Sequence, residues 1–190
     1  MTRYVALLRG INVGGHRKVP MADLRRMLEG LGYDAVATLL QSGNAVFEAP
    51  EQPTEELIAV LEAAIAEEFG FDVPVMVRTG AEMRAVVAAN PLEVRDPARL
   101  AVAFLGGVLD PKVWAAIEPD GYAPEELRSG ERELYMYFPD GLGKARFDPA
   151  LLARRDGPRA TVRNWNTVTK LAAMTQEVGD EPAAAPGGRA

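Results

Sequence analysis

Tyr4-Val5-Ala6-Leu7-Leu8-Arg9-Gly10-Ile11-Asn12-Val13-Gly14-Gly15 decides how the rest of the chain is read. The apolar residues have the length of a buried strand, and glycines then end the run. His16, Arg17 and Lys18 follow. A loop of this kind exposes backbone N–H groups beside cationic side chains, a combination that suits an anion.

Working outward, residues 3–8 form the first expected strand. Pro20 opens a helix whose apolar face is Met21, Leu24, Met27, Leu28 and Leu31, and Gly32 stops it. Strands over 35–40 and 45–49 flank the tight turn Gln41-Ser42-Gly43-Asn44 and read as a hairpin. Thr54 is read as the cap of the next helix, with Glu55 and Glu56 in the first turn, where the helix dipole favours carboxylates. Leu57, Ile58, Leu61, Ile65 and Phe69 form its core face, and residues 73–78 return as a strand. The order is βαββαβ, the ferredoxin-like unit. Pro74 cannot donate to a ladder, so it belongs on an edge strand, which the fourth strand of this topology is. Strands one and three are neighbours and antiparallel there. The exit of strand one and the hairpin turn therefore share one end of the sheet, and Arg9, Asn12, Gln41 and Asn44 are expected to converge.

Thr79 to Glu82 has the form of a capping box, with Met83, Val86 and Val87 behind it. Asn90-Pro91 stops that helix, and a boundary is expected within 90–99. The second half echoes the first. Ala101-Val102-Ala103-Phe104-Leu105-Gly106-Gly107 resembles the first strand and its glycine exit. Asp110-Pro111 caps a helix containing Val113, Trp114 and Ile117. Glu126-Leu127-Arg128-Ser129-Gly130-Glu131 mirrors the first hairpin turn, and the following strand alternates Leu134, Met136 and Phe138 against Tyr135 and Tyr137. A second βαββ unit follows from these echoes. Either the architecture is duplicated or two hairpins each needed a Ser-Gly turn. Asp148-Pro149 starts a short helix, and 164–174 make the last one, with Trp165, Val168, Leu171 and Ala172 inward. Trp165 is read as a core anchor, in register with Val168 and Leu171. The expected class is α+β: a ferredoxin-like βαββαβ unit, then a second, smaller α/β portion and a C-terminal helix. Residues 1–90 and 100–176 form the two portions, and 177–190, rich in Pro, Ala and Gly, is expected to be a disordered tail.

Composition narrows the function. The 190 residues carry a net charge of -6, which argues against a general nucleic-acid binder. With no cysteine and one histidine, neither a disulfide nor a His/Cys zinc site can form within the chain, and a reducing cytoplasm is the expected location. No apolar run approaches the roughly 20 residues of a membrane span, and the first residues lack a signal-peptide pattern. The loop after strand one is not a P-loop, because His16 stands where Lys would follow the last glycine, and the dinucleotide spacing also fails. Ser42 and Ser129 lack a nucleophile elbow, and the acidic residues sit on helix faces and caps rather than as a magnesium pair. No metal, cofactor or catalytic residue is assigned.

The candidate ligand-binding residues come from four stretches. Gly14 and Gly15 offer backbone donors, Arg9 and Lys18 charge, and Asn12, Gln41, Ser42 and Asn44 polar side chains at the turn. Arg163, Asn164, Asn166, Thr167 and Lys170 surround the N-terminus of the last helix, where unpaired N–H groups await an acceptor. Lys144 lies in the basic, glycine-rich stretch Gly141-Leu142-Gly143-Lys144-Ala145-Arg146.

Three separated blocks carry a family resemblance. They are Val5 to Gly15 continuing into Lys18-Val19-Pro20-Met21, then Gln41-Ser42-Gly43-Asn44, then Arg163-Asn164-Trp165-Asn166-Thr167-Val168-Thr169-Lys170-Leu171. In this order they are similar to the bacterial family of the domain of unknown function 1697, over about residues 3–174. The resemblance implies an α+β fold with ferredoxin-like elements and a second α/β portion. It implies no activity.

The expected function is binding of a small anionic ligand, a nucleotide or phosphorylated metabolite, at the glycine-rich loop. The alternatives are an enzyme acting on such a substrate with Lys18 or Lys144 as electrostatic stabiliser, a protein-interaction module, and RNA binding on the sheet face through Tyr4 and Phe47. Nucleic acid is disfavoured and no membrane partner is expected. The oligomeric state is not specified by the sequence.

Overall fold

The computed structural model of the protein describes residues 1–176. The expected tail, 177–190, lies outside them. The first sheet contains β1 (Thr2–Leu8), β2 (Asp34–Leu39), β3 (Asn44–Ala49) and β4 (Val75–Thr79), in the order β2-β3-β1-β4. All its pairings are antiparallel, and Leu7 opposite Asn44 brings the exit of β1 to the hairpin turn. Helices α1 (Met21–Gly30) and α2 (Thr54–Phe69) connect these strands. Pro74 stands immediately before the edge strand β4, and its carbonyl accepts from the Arg9 N–H at 2.9 Å.

The second sheet contains β5 (Leu100–Leu105), β6 (Glu126–Ser129), β7 (Glu133–Tyr137) and β8 (Ala160–Asn164), ordered β6-β7-β5-β8. With α4 (Pro111–Ala115) and α5 (Ala150–Ala153) between them, it repeats the first unit strand for strand. The sequence reading ended this unit one strand short. β8 has one large apolar side chain, Val162, too few to show a strand period, and Arg163 belongs to this strand rather than to the helix that follows. A second correction concerns Thr54, which is the first residue of α2 and makes no cap hydrogen bond; Pro53 occupies the cap position.

Strand alternation sorts the core into three layers. Tyr4, Ala6 and Leu8 face outward under α1 and α2 with Leu24, Leu57 and Leu61. Ala101, Ala103 and Leu105 face the other way, under Ile117, Phe147 and Leu152. Between the sheets, Val5 and Leu7 meet Val102 and Phe104. Two further helices, α3 (Gly80–Ala88) after β4 and α6 (Trp165–Met174) after β8, close this middle layer with Met83, Val86, Trp165, Val168 and Leu171. Each large apolar side chain buried there contributes about 1.5–3 kcal/mol.

Both faces of each sheet are therefore covered. Tyr4 and Phe47, the aromatics on which RNA binding would depend, are buried and stack on each other at 6.0 Å under the outer helices. RNA binding through these two aromatics would need them exposed, and they are not.

Candidate functional site

The two units exchange arginines. Arg78 is the second-last residue of β4 and Arg163 the second-last of β8, opposite Val5 and Val102 respectively. Each precedes the cap of an inner helix. Thr79 accepts from the Glu82 N–H, and Asn164 accepts from the Thr167 N–H at 2.9 Å. Each arginine then crosses to the other unit, where β1 or β5 ends beside a hairpin.

Arg163 is 7% exposed and donates through Nη2 to the carbonyls of Leu8 (2.8 Å), Ser42 (3.1 Å) and Gly43 (3.3 Å). Its Nε donates to Asn44 Oδ1, and Nη1 donates to Thr161 Oγ1 and the Val162 carbonyl, both at 2.8 Å. Arg78 is 1% exposed and does the same in reverse. Its Nη2 donates to the carbonyls of Leu105 (3.0 Å) and Arg132 (2.9 Å), and its Nε to Glu133 Oε1 at 3.0 Å. The acceptors correspond: Leu8 N–H bonds the Gly43 carbonyl as Leu105 N–H bonds that of Arg132.

The correspondence breaks at one position. Arg78 meets the carboxylate of Glu133, whereas Arg163 meets the neutral amide of Asn44. Asn44 is wholly buried, and its Nδ2 donates to the Leu39 carbonyl at 2.7 Å and to Ser42 Oγ at 3.1 Å. With no carboxylate partner among the described residues, burial alone pushes the Arg163 guanidinium down to about 10. It still carries its proton at neutral pH. Burial also lowers Arg78, but there the Glu133 charge acts against the shift.

Arg163 forms part of the wall of a hollow of about 350 Å³, with Arg9, Gly10, Ile11, Ser42 and Asp148. Arg9 is half-buried, and its guanidinium has no ion-pair or hydrogen-bond partner among the described residues. The N–H groups of Gly10 and Ile11 likewise find no protein acceptor among them. Asp148 is the one acidic lining residue, and its Oδ1 accepts from the Ala150 N–H at 2.9 Å. A larger hollow of about 550 Å³ lies beside Arg78, but it carries Glu82, Glu131 and Glu133 with the two arginines Arg78 and Arg132.

The other expected site residues fall in different places. Asn12, at φ 56°, is an internal clip. Its Nδ2 donates to the carbonyls of Val19 (3.0 Å) and Gln41 (2.7 Å), and its Oδ1 accepts from the Val19 N–H. Gln41 contributes that carbonyl, and its side chain is solvent-facing. Gly14 and Gly15 form the exposed bend between Val13 and His16, whose N–H reaches the Val13 carbonyl at 3.1 Å. Lys18, Lys144, Asn166 and Lys170 are exposed and do not line the hollow, and Thr167 is buried in the first turn of α6. The fold thus brings Arg9, Ser42 and Arg163 to one hollow and turns Asn12, Asn44 and Asn164 to internal bonds, while Gly14, Gly15, Lys18, Gln41, Lys144, Asn166 and Lys170 stay at the surface. Arg78, Glu133 and Asp148 are not among the site residues the sequence suggests. The signal for Arg78 was its place before the Thr79 capping box, which matches Arg163 before Asn164.

Among the described residues no helix is long and apolar enough to cross a membrane. No group of three or more His, Cys, Asp or Glu side chains there could hold a metal ion.

Comparison with known proteins agrees with the fold. A conserved bacterial protein, SP0830 from Streptococcus pneumoniae, has a similar solved structure, with a TM-score of 0.76 and 30% sequence identity. The match covers 92% of this chain and 99% of that one. No functionally curated protein matches the chain. The sequence model described as protein of unknown function (DUF1697) matches residues 1–135. The chain therefore belongs to the DUF1697 family.

Proposed function

We propose that the protein is a cytosolic module that binds a small anion, a phosphate or carboxylate group on a metabolite, in the hollow between the loop after β1 and β8. The observation that carries this reading is the charge on Arg163. A cation held out of water without a counter-ion is costly, and an anion nearby relieves that cost. The guanidinium itself has committed its donors to Leu8, Ser42, Gly43, Asn44, Thr161 and Val162, so its role is field rather than contact. Contact falls to the Arg9 guanidinium and to the N–H groups of Gly10 and Ile11. Charge-assisted hydrogen bonds contribute about 1.5–3 kcal/mol each, so a few suffice for micromolar to millimolar affinity after association costs.

Isothermal titration with inorganic phosphate, nucleotides and small carboxylates tests this. Saturable binding that weakens with salt and is lost in Arg9→Ala is expected. Folded protein that takes up none of these at millimolar concentration would remove the reading.

A further inference from the structure

The hollow beside Arg163 does not end at its polar wall. It shares Asp148, Pro149 and Val162 with a second hollow of about 340 Å³ on the outer face of the second sheet. The remaining walls of that second hollow are Met136, Phe138, Leu142, Ala145 and Phe147, all without charge. Strand geometry explains the change of character. Successive residues of β8 point to opposite faces, so Thr161 and Arg163 turn toward the middle layer while Val162 turns outward. The outward side of β8 packs with the aromatic and aliphatic side chains of the outer core. β8 is an edge strand, so no further strand separates the two sides. Pro149 and Val162 form the step between them.

On the understanding that the anion site of the preceding section is correct, we infer that its ligand is amphipathic: a carboxylate or phosphate head beside Arg9 and Arg163, carrying a single aliphatic chain that crosses Pro149 into the groove walled by Leu142, Phe147 and Val162. Beyond Asp148 at its mouth, the groove offers such a chain apolar surface and no hydrogen-bonding side chain, so a sugar or nucleoside body would lose hydration there with little compensation. An aliphatic chain gains on entry, because each methylene leaving water contributes a transfer term that scales with buried area. Cationic side chains line one end of the combined hollow only, with the Asp148 carboxylate at the junction. A polar tail in the groove, or a chain with a cationic head, does not fit that order.

The test is a homologous series of straight-chain carboxylates, acetate to octanoate, and of alkyl phosphates of matched length. Both are titrated into the full-length protein and followed by calorimetry and by backbone amide shifts. Affinity is expected to rise roughly fourfold per methylene, the equivalent of about 0.8 kcal/mol, with shifts spreading from Gly10 and Ile11 to Ala145 and Val162 as the chain lengthens. Leu142→Asp is expected to remove most of that rise, and Arg9→Ala to weaken every member by a similar factor. Affinity that is independent of chain length, with inorganic phosphate still binding at Gly10 and Ile11, would overturn the inference and leave the anion site standing. Failure of every member, phosphate included, would overturn both.

Discussion

Replacing Arg163 by methionine should weaken the junction of the two units severely. The substitution keeps a long unbranched side chain and removes the guanidinium. It withdraws donors from the carbonyls of Leu8 and Ser42 and from Asn44 Oδ1, each of them held by Arg163 alone from the second unit. Hydrogen bonds from a charged donor contribute about 1.5–3 kcal/mol each, so three suggest a gross loss of roughly 5–9 kcal/mol. Relief of the guanidinium's own desolvation offsets several kcal/mol of that. The net expectation is about 3–5 kcal/mol. For a domain of this size that lowers Tm by roughly 6–20 °C. The assay is urea and thermal unfolding of parent and variant by circular dichroism and calorimetry. A Tm within about 2 °C of the parent, less than about 1 kcal/mol, would refute the view that this arginine ties the units together. Arg78→Met should behave alike, because it leaves the Glu133 carboxylate, 14% exposed, without its partner.

Other expectations separate architecture from site. Gly43 has φ +80°, and a Cβ there would lie 2.6 Å from Ile11 Cδ1 and 2.8 Å from Leu8 Cβ, whereas Gly15, at φ +77°, has nothing within 4 Å. Gly15→Ala should cost only the left-handed backbone penalty of about 1–2 kcal/mol, and Gly43→Ala clearly more, by chemical denaturation. Asn12→Ala removes the clip between the loop, Val19 and Gln41, and should cost about 1–3 kcal/mol in the same assay. Tyr135 donates to the Val86 carbonyl at 2.9 Å, and burial, helped by Glu133, pushes its phenol up to about 12. Its folded pKa lies above the unfolded value of 10.0, so its contribution to stability is complete below pH 10 and is lost as pH rises toward about 12. Tyr135→Phe should flatten that fall and remove one late-titrating tyrosine from the ultraviolet titration; an unchanged titration would contradict the assignment.

The sequence made the first unit legible because its signals agree. The period of β1, the helix face through Leu24 and Leu28, the Ser-Gly turn and Pro74 each point to βαββαβ, and the strand order bears this out. The second unit was harder because its elements are shorter. α4 and α5 have five and four residues, and β8 has the sequence ATVRN, with too few apolar positions to show a period. The expected convergence of the loop, the hairpin and the segment around Arg163 was half visible. Residue types identified Arg9, Ser42 and Arg163, which share one hollow. Residue types do not show whether an asparagine faces a ligand or its own backbone. Asn12, Asn44 and Asn164 all bond within the protein, and that depends on loop geometry that only the folded chain fixes. The difference between Asn44 and Glu133 was invisible for the same reason. It acquires meaning only when β3 and β7 are superposed and each is seen facing the other unit's arginine.

That difference also provides the decisive measurement. Asn44→Asp gives Arg163 the kind of counter-ion that Glu133 gives Arg78. Phosphate titration of this variant, with circular dichroism to show that it is folded, should find affinity reduced at least tenfold, about 1.4 kcal/mol. Folded Asn44→Asp protein that binds phosphate as tightly as the parent would contradict the claim that an uncompensated buried cation makes the site.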